Sequence, residues 1–245
     1  MLEGLYSAAA GMETAQTQLN TVSNNIANED TPGYQAQELG FSDLLYNTDD
    51  DDPSTAIVGA GSTAQTIGYS QTQGALEQTG NPLDLGMSGN GYFEVRQADG
   101  TVGLTKNGTF QLNARGQITT DLGMELVPPI TVPKGTQASQ ISVAANGAVS
   151  VNKQKIGQIQ VVTVTAPDKL LPQGNSVYSA TAGSGPITAA KGVTLQQGYL
   201  EQSNVDLDTE ITSMEQAEQA YSMGSKAVQF EGQFGQIASE LRAGG

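Results

Sequence analysis

Apolar residues recur at alternating three- and four-residue steps at both ends of this chain, while the long stretch between them has no such period. Leu2, Leu5, Ala9, Met12, Leu19 and Ile26 form one stripe, interrupted by Gln16 and Ser23, and predict an amphipathic helix over residues 2–28. The run Asn28-Glu29-Asp30-Thr31-Pro32-Gly33 stops it, because the residue before a proline is pushed out of the helical region. A second helix is predicted from about residue 205 to 242. Ser203-Asn204-Val205-Asp206 reads as a capping box, and Asp206, Asp208 and Glu210 suit the positive end of the helix dipole. Two stripes run along this helix. One is Leu207, Ile211, Met214, Tyr221 and Val228; the other is Ala220, Met223, Ala227, Phe230, Phe234, Ile237 and Leu241. They lie about 100° apart. A single partner needs one narrow seam, so two stripes predict several neighbours; packing against the chain's own domain is the alternative that the pattern leaves open.

The middle reads as β. Asn90-Gly91, Asn107-Gly108, Asn146-Gly147 and Asp99-Gly100 are tight-turn signals. Between them lie strand-like runs at Tyr92–Val95, Thr109–Leu112, Gln117–Thr119 and Ile141–Val143, and the longest run is Ile159–Val164. Short, even spacing of this kind predicts a small sandwich or open barrel. Residues 35–80 form a transition: a short apolar knot at Phe41, Leu44, Leu45 and Tyr46, the acidic run Asp49–Asp52, then a Gly/Ser/Thr-rich piece with a strand hint at Thr66–Tyr69. The expected fold class is α+β. The N- and C-terminal helices pair as a coiled-coil-like core around a central all-β domain. The expected division is residues 1–34 plus 200–245 as a helical core, 35–80 plus 185–199 as an extended connection, and 81–184 as the β domain.

Composition narrows the function. Aromatics make up 5% of the 245 residues and Trp is absent, so the core is thin and aliphatic. The net charge is −15, and thirteen acids precede the first base, Arg96. Phosphate contact requires Lys and Arg, so nucleic acid and anionic membrane surfaces are poor partners. Without His or Cys there is no Ser-His-Asp or Cys-His mechanism, no disulfide and no ordinary zinc site. The first thirty residues lack the basic and apolar regions of a Sec-type signal, and no run reaches the ~18 apolar residues of a membrane span. The expectation is a chain that does not insert in a membrane and is either cytoplasmic or exported by a route that reads an uncleaved N-terminus.

Candidate chemistry has plain explanations. Asp49–Asp52 lacks the alternating ligands and the turning Gly of a calcium loop and reads as a solvated loop. Gly59-Ala60-Gly61-Ser62-Thr63-Ala64 mimics a dinucleotide fingerprint without the flanking strand and helix. Helix-start electrostatics accounts for Asp206 with Asp208, and a hairpin for Glu94 with Asp99. No catalytic residue, metal ligand or cofactor is expected.

Several motifs resemble one family. Leu5-Tyr6-Ser7-Ala8-Ala9-Ala10-Gly11-Met12, then Ser23-Asn24-Asn25-Ile26-Ala27-Asn28 and Thr31-Pro32-Gly33-Tyr34, are similar to the N-terminal signature of the axial proteins of the bacterial flagellum, in the rod and hook group. Gln196-Gln197-Gly198-Tyr199-Leu200-Glu201-Gln202-Ser203-Asn204-Val205-Asp206 resembles the start of that family's C-terminal helix, and Ala220-Tyr221 and Ser225-Lys226-Ala227 continue it. Gly89–Phe93 and Thr105–Asn113 resemble its middle. The likeness spans nearly the whole chain and is nearest to the distal-rod branch. The proximal-rod branch comes next, and the hook branch usually carries a larger middle. The absence of any base before Arg96 and the Asp49–Asp52 insertion depart from the usual pattern.

The resemblance implies a structural subunit without enzymatic activity, exported uncleaved by the flagellar export apparatus into the basal body outside the cytoplasmic membrane. It implies a helical homopolymer that surrounds the export channel, carries torque from motor to hook, and touches neighbouring rod and hook proteins and the rings around the rod. The implied assembly residues are those of the stripes, with Asn24, Asn25 and Asn28 added. A secreted β-rich adhesin or carbohydrate-binding module is the reading from another class; scarce aromatics weigh against it.

Overall fold

The computed structural model describes the backbone of residues 2–47 and 57–243, and the side-chain surroundings of residues 4–44 and 61–234. The Asp49–Asp52 run lies outside the described residues. The chain divides into two compact units, Met1–Ala27 with Gln37–Ile67 and Asp206–Gly245, and Asn28–Ala36 with Gly68–Val205.

The first unit holds the predicted helices, α1 (Leu2–Ala27) and α2 (Leu207–Ala243), which pack on each other. The start of α2 differs from the expected box: Asp206 is the cap, its side chain accepting the amide of Thr209 at 3.3 Å and its carbonyl that of Glu210 at 2.9 Å. Two long strands complete the unit, β1 (Gln37–Asn47) and β2 (Ile57–Tyr69), paired in a two-stranded sheet. The expected apolar knot is therefore part of a strand. Its period-2 alternation, Leu39 and Phe41 against Glu38, Gly40 and Ser42, is obscured in the sequence by the contiguous Leu44-Leu45-Tyr46. In β2, small residues carry little apolar signal, and pairing with β1 satisfies the backbone instead. The dinucleotide-like glycines fall inside β2.

The second unit is a β structure. Its largest sheet has nine strands, flanked by a three-stranded sheet (Ile141–Val143, Ala148–Val151, Gln154–Gln158) and two strand pairs. Two expected turns close hairpins. Asp99-Gly100 joins Tyr92–Arg96 to Val102–Thr105, and Asn146-Gly147 joins Ile141–Val143 to Ala148–Val151, with Gly147 at φ +83°, a conformation that glycine adopts without strain. Asn107-Gly108 is a close approach rather than a hairpin, since any Cβ on Gly108 would run into the Leu85 carbonyl. The expected long run Ile159–Val164 contributes a strand only at Val161–Thr163, which pairs with Tyr92–Phe93 and Thr188–Ala189.

Tyr92 and Phe93 show how the core is arranged. Adjacent residues of a strand face opposite ways. Phe93 enters a large aliphatic cluster with Leu85, Met87, Ile118, Val149 and Leu195, and meets Phe110 edge-on at 5.1 Å. Tyr92 enters a smaller cluster with Tyr69, Leu104, Val162 and Tyr178. Its hydroxyl donates to one of the Gln35 and Gln71 side-chain oxygens, both 3.2 Å away, and burial pushes it up to about 12.

Segments distant in sequence close this unit. The Gly33 amide donates to the Glu201 carbonyl at 2.8 Å, and the Ala36 amide to the Asn204 side chain at 2.7 Å. Asn204 Nδ2 donates in turn to the carbonyls of Ser70 and Thr72. Beneath them Lys106 Nζ and Glu201 Oε1 form an ion pair at 3.5 Å, with side chains only 2% and 4% exposed. Burial pushes the Glu201 carboxyl up, while Lys106 and the Gly74 amide hold it back. The other carboxylate oxygen, Oε2, has no hydrogen-bond partner. Removing one member of such a pair strands a buried charge and costs about 3–5 kcal/mol, whereas neutralising both costs little. Lys106→Met and Glu201→Gln should each lower stability to urea by about that much, and the double variant should recover most of the loss. Tyrosine fluorescence reads this without interference, as Trp is absent. A double variant as unstable as the sum of the two would contradict the pair's role.

Candidate functional site

The candidate site is the surface of the helical unit. α1 and α2 run antiparallel. Asn25 reaches Glu210, Gln18 reaches Ser213, Met12 lies against Gly224, and Gly4 lies against Glu231. The described residues buried in this unit are Thr14, Ala15, Thr21, Val22, Asn25 and Ala217. Most are small or polar, and small side chains let helix axes approach closely. At Gly224 the approach is tight: a Cβ would lie 2.6 Å from Met12 Cγ. A groove of about 570 Å³ runs along this seam, lined by residues such as Gly4, Ala8, Gly11, Ala15, Ala220 and Gly224.

Polar anchors fix the seam. Asn25 Nδ2 donates to Glu210 Oε1 at 2.8 Å and to the Gln37 carbonyl at 3.1 Å, while Oδ1 accepts the Gln37 amide at 2.9 Å. Burial pushes the Glu210 carboxyl up; the Asn25 bond opposes this and Asp206 reinforces it. Thr14 Oγ1 donates to the Ser62 carbonyl of β2 at 2.6 Å, and Gly61 passes close over Ser7 and Ala10.

The expected stripe residues fall into three groups. Leu5, Met12, Leu19, Ile26, Leu207, Met214 and Val228 are half-buried, and Asn25 is fully buried. Ala9, Asn24, Ile211, Tyr221, Met223, Ala227, Phe230 and Phe234 are exposed, Met223 and Phe234 each 64% and Phe230 61%. Side chains of Leu2, Ile237 and Leu241 lie outside the described surroundings. Asn28 is half-buried in the other unit, where it holds Thr31 through its carbonyl and its side chain. Sequence reading missed Thr14, Thr21 and Ala217 as buried positions. Ala217 completes the spacing from Met214 to Tyr221, but a stripe of large apolar residues does not draw attention to an alanine.

No group of three or more Asp, Glu, His or Cys residues among those described could hold a metal, and no helix among them is long and apolar enough to cross a membrane. The arrangement offers a helix pair closed by Ala15, Val22, Ala217 and Gly224, with Tyr221, Met223, Phe230 and Phe234 exposed on α2.

Three family matches fall along the chain. Residues 5–35 match the flagella basal body rod protein family, residues 86–151 the flagellar hook protein FlgE/F/G D1 domain, and residues 196–233 the flagellar basal body rod FlgEFG protein C-terminal region. The chain is 35% identical to the flagellar basal-body rod protein FlgG of Caulobacter vibrioides, over 99% of this chain and all of that protein. It is 33% identical to FlgG of Agrobacterium fabrum, over 98% of this chain and 99% of that one. FlgF of Mesorhizobium japonicum is 26% identical over 90% of each. These are structural rod proteins, and they give the adhesin reading no support.

The seam itself is testable. Ala217 is 1% exposed, so Ala217→Leu overpacks it and should cost about 1–3 kcal/mol, read as a lower thermal midpoint of helical circular dichroism. Ser222→Leu, at an exposed position of the same helix, should leave the midpoint nearly unchanged. Equal effects of the two would contradict the packing described.

Proposed function

We propose an assembly mechanism on one premise: this chain belongs to the flagellar basal-body rod protein family and is a structural subunit of the rod, not an enzyme. Its place is the flagellar basal body, among other rod and hook proteins. The likeness to FlgG along the full chain supports a position in the distal rod. In this reading copies polymerise head to tail through their terminal helices. Contacts between unlike surfaces whose rotation does not close generate a helical tube. The tube surrounds the export channel and passes torque from motor to hook.

One observation carries the reading. Phe230, Phe234 and Met223 are more than half exposed on α2, while the helix pair's own seam is filled by Ala15, Ala217 and Gly224. Water is a poor neighbour for such a ridge, and burying one Phe or Met side chain is worth about 1.5–3 kcal/mol. The assembly residues are then Leu2, Leu5, Ala9, Met12, Leu19, Asn24, Ile26 and the two stripes of α2, with Asn25 acting from inside as the pin of the helix pair. The chain reaches the rod uncleaved through the flagellar export apparatus, lies outside the cytoplasmic membrane, and meets ring proteins on its outer side.

Phe230→Asp with Phe234→Asp separates assembly from folding. Both side chains are exposed, so monomer stability should change by about 0.5 kcal/mol or less, while cells carrying the variant should lack complete rods and fail to swim. Met214→Asp, at a half-buried position, should harm both. Normal rods from the double variant would refute the interface.

A further inference from the structure

The chain's charge is concentrated in one unit. The helical unit holds fifteen acids and two bases, Lys226 and Arg242, a formal −13; the β unit holds ten acids and eight bases, a formal −2. The unit with the exposed apolar ridge therefore carries nearly all of the net charge. Glu13 on α1, Glu38 and Asp43 on β1, and Asp208, Glu215 and Glu218 on α2 all stand exposed. Glu218 lies one turn before Tyr221 and so shares its face. Both ion pairs found among the described residues, Lys106–Glu201 and Lys169–Asp168, belong to the β unit and offset none of this charge.

A second copy docking on the ridge sets one strongly acidic unit against another. Apolar contact favours the encounter and Coulomb repulsion opposes it, so the outcome depends on screening. The screening length is about 30 Å at 0.01 M salt, about 10 Å at 0.1 M and about 3 Å at 1 M. We propose that self-association of the helical unit is gated by ionic strength: repulsion holds copies apart in dilute salt, and screening lets the apolar ridge engage a second copy. This rests on the assembly reading above. Its sign is opposite to that of an interface held by salt bridges, which salt weakens.

Sedimentation velocity of the full-length protein across about 0.05–1 M NaCl tests it. The apparent dissociation constant should fall by roughly tenfold or more over that range. Salt also strengthens apolar association in general, so a charge variant is the control. Glu215→Gln with Glu218→Gln should associate in more dilute salt and show a shallower salt dependence, with circular dichroism unchanged. MgCl2 at matched ionic strength should act as NaCl does. Association that weakens with salt, a slope unaltered in the variant, or millimolar Mg2+ succeeding where matched NaCl fails would each overturn the proposal alone. No association at any ionic strength would overturn it together with the assembly reading.

Discussion

The close antiparallel approach of α1 and α2 governs the rest of the helical unit. Helices that meet through Ala15, Ala217 and Gly224 cannot also fit Phe230, Phe234 or Tyr221 between them, so the bulky residues face outward. Asn25 keeps the approach in register by holding both Gln37 and Glu210, and Thr14 ties the seam to β2. A protein complete by itself would place its largest apolar residues innermost. In this pair Val22 is buried and Met12, Leu19 and Met214 are half-buried, while Tyr221, Met223, Phe230 and Phe234 stand exposed on α2, and in the proposed reading those four are what further copies cover.

The β unit follows the opposite rule. Most of its aromatic and large aliphatic residues are inside, in two clusters on opposite faces of the strand carrying Tyr92 and Phe93, with Leu122, Leu171 and Ile187 the exposed exceptions. Its chain crossings are closed by Gly33, Ala36, Asn204 and the Lys106–Glu201 pair. It is nearly neutral, and the helical unit is not. One chain thus combines a nearly neutral β unit with a filled core and a helical unit that carries exposed apolar residues and nearly all of the net charge.

The helices, the α+β class and the family were legible because long periodic stripes and turn-rich strands leave strong marks on a sequence. β1 and β2 were harder to read, since Gly, Ser, Thr and Ala in β2 carry no alternation and the Leu44-Leu45-Tyr46 cluster hides that of β1. Within the candidate site the stripes were visible, and the α2 side of the seam was not. A close helix contact is made by the absence of side chains, and Ala217 or Gly224 reads as propensity or flexibility until its neighbour across the seam is known. The Lys106–Glu201 pair joins positions far apart in the chain, and nothing local marks either as buried.

The central claim is that the helices are half satisfied by each other and completed by further copies. Amide hydrogen exchange on the full chain, dilute and then assembled, tests it most directly. The account predicts that α2 from Tyr221 to Phe234 gains strong protection on assembly while the strands of the two β clusters stay as they were. Equal protection of that segment in both states, or gains confined to the β unit, would contradict it.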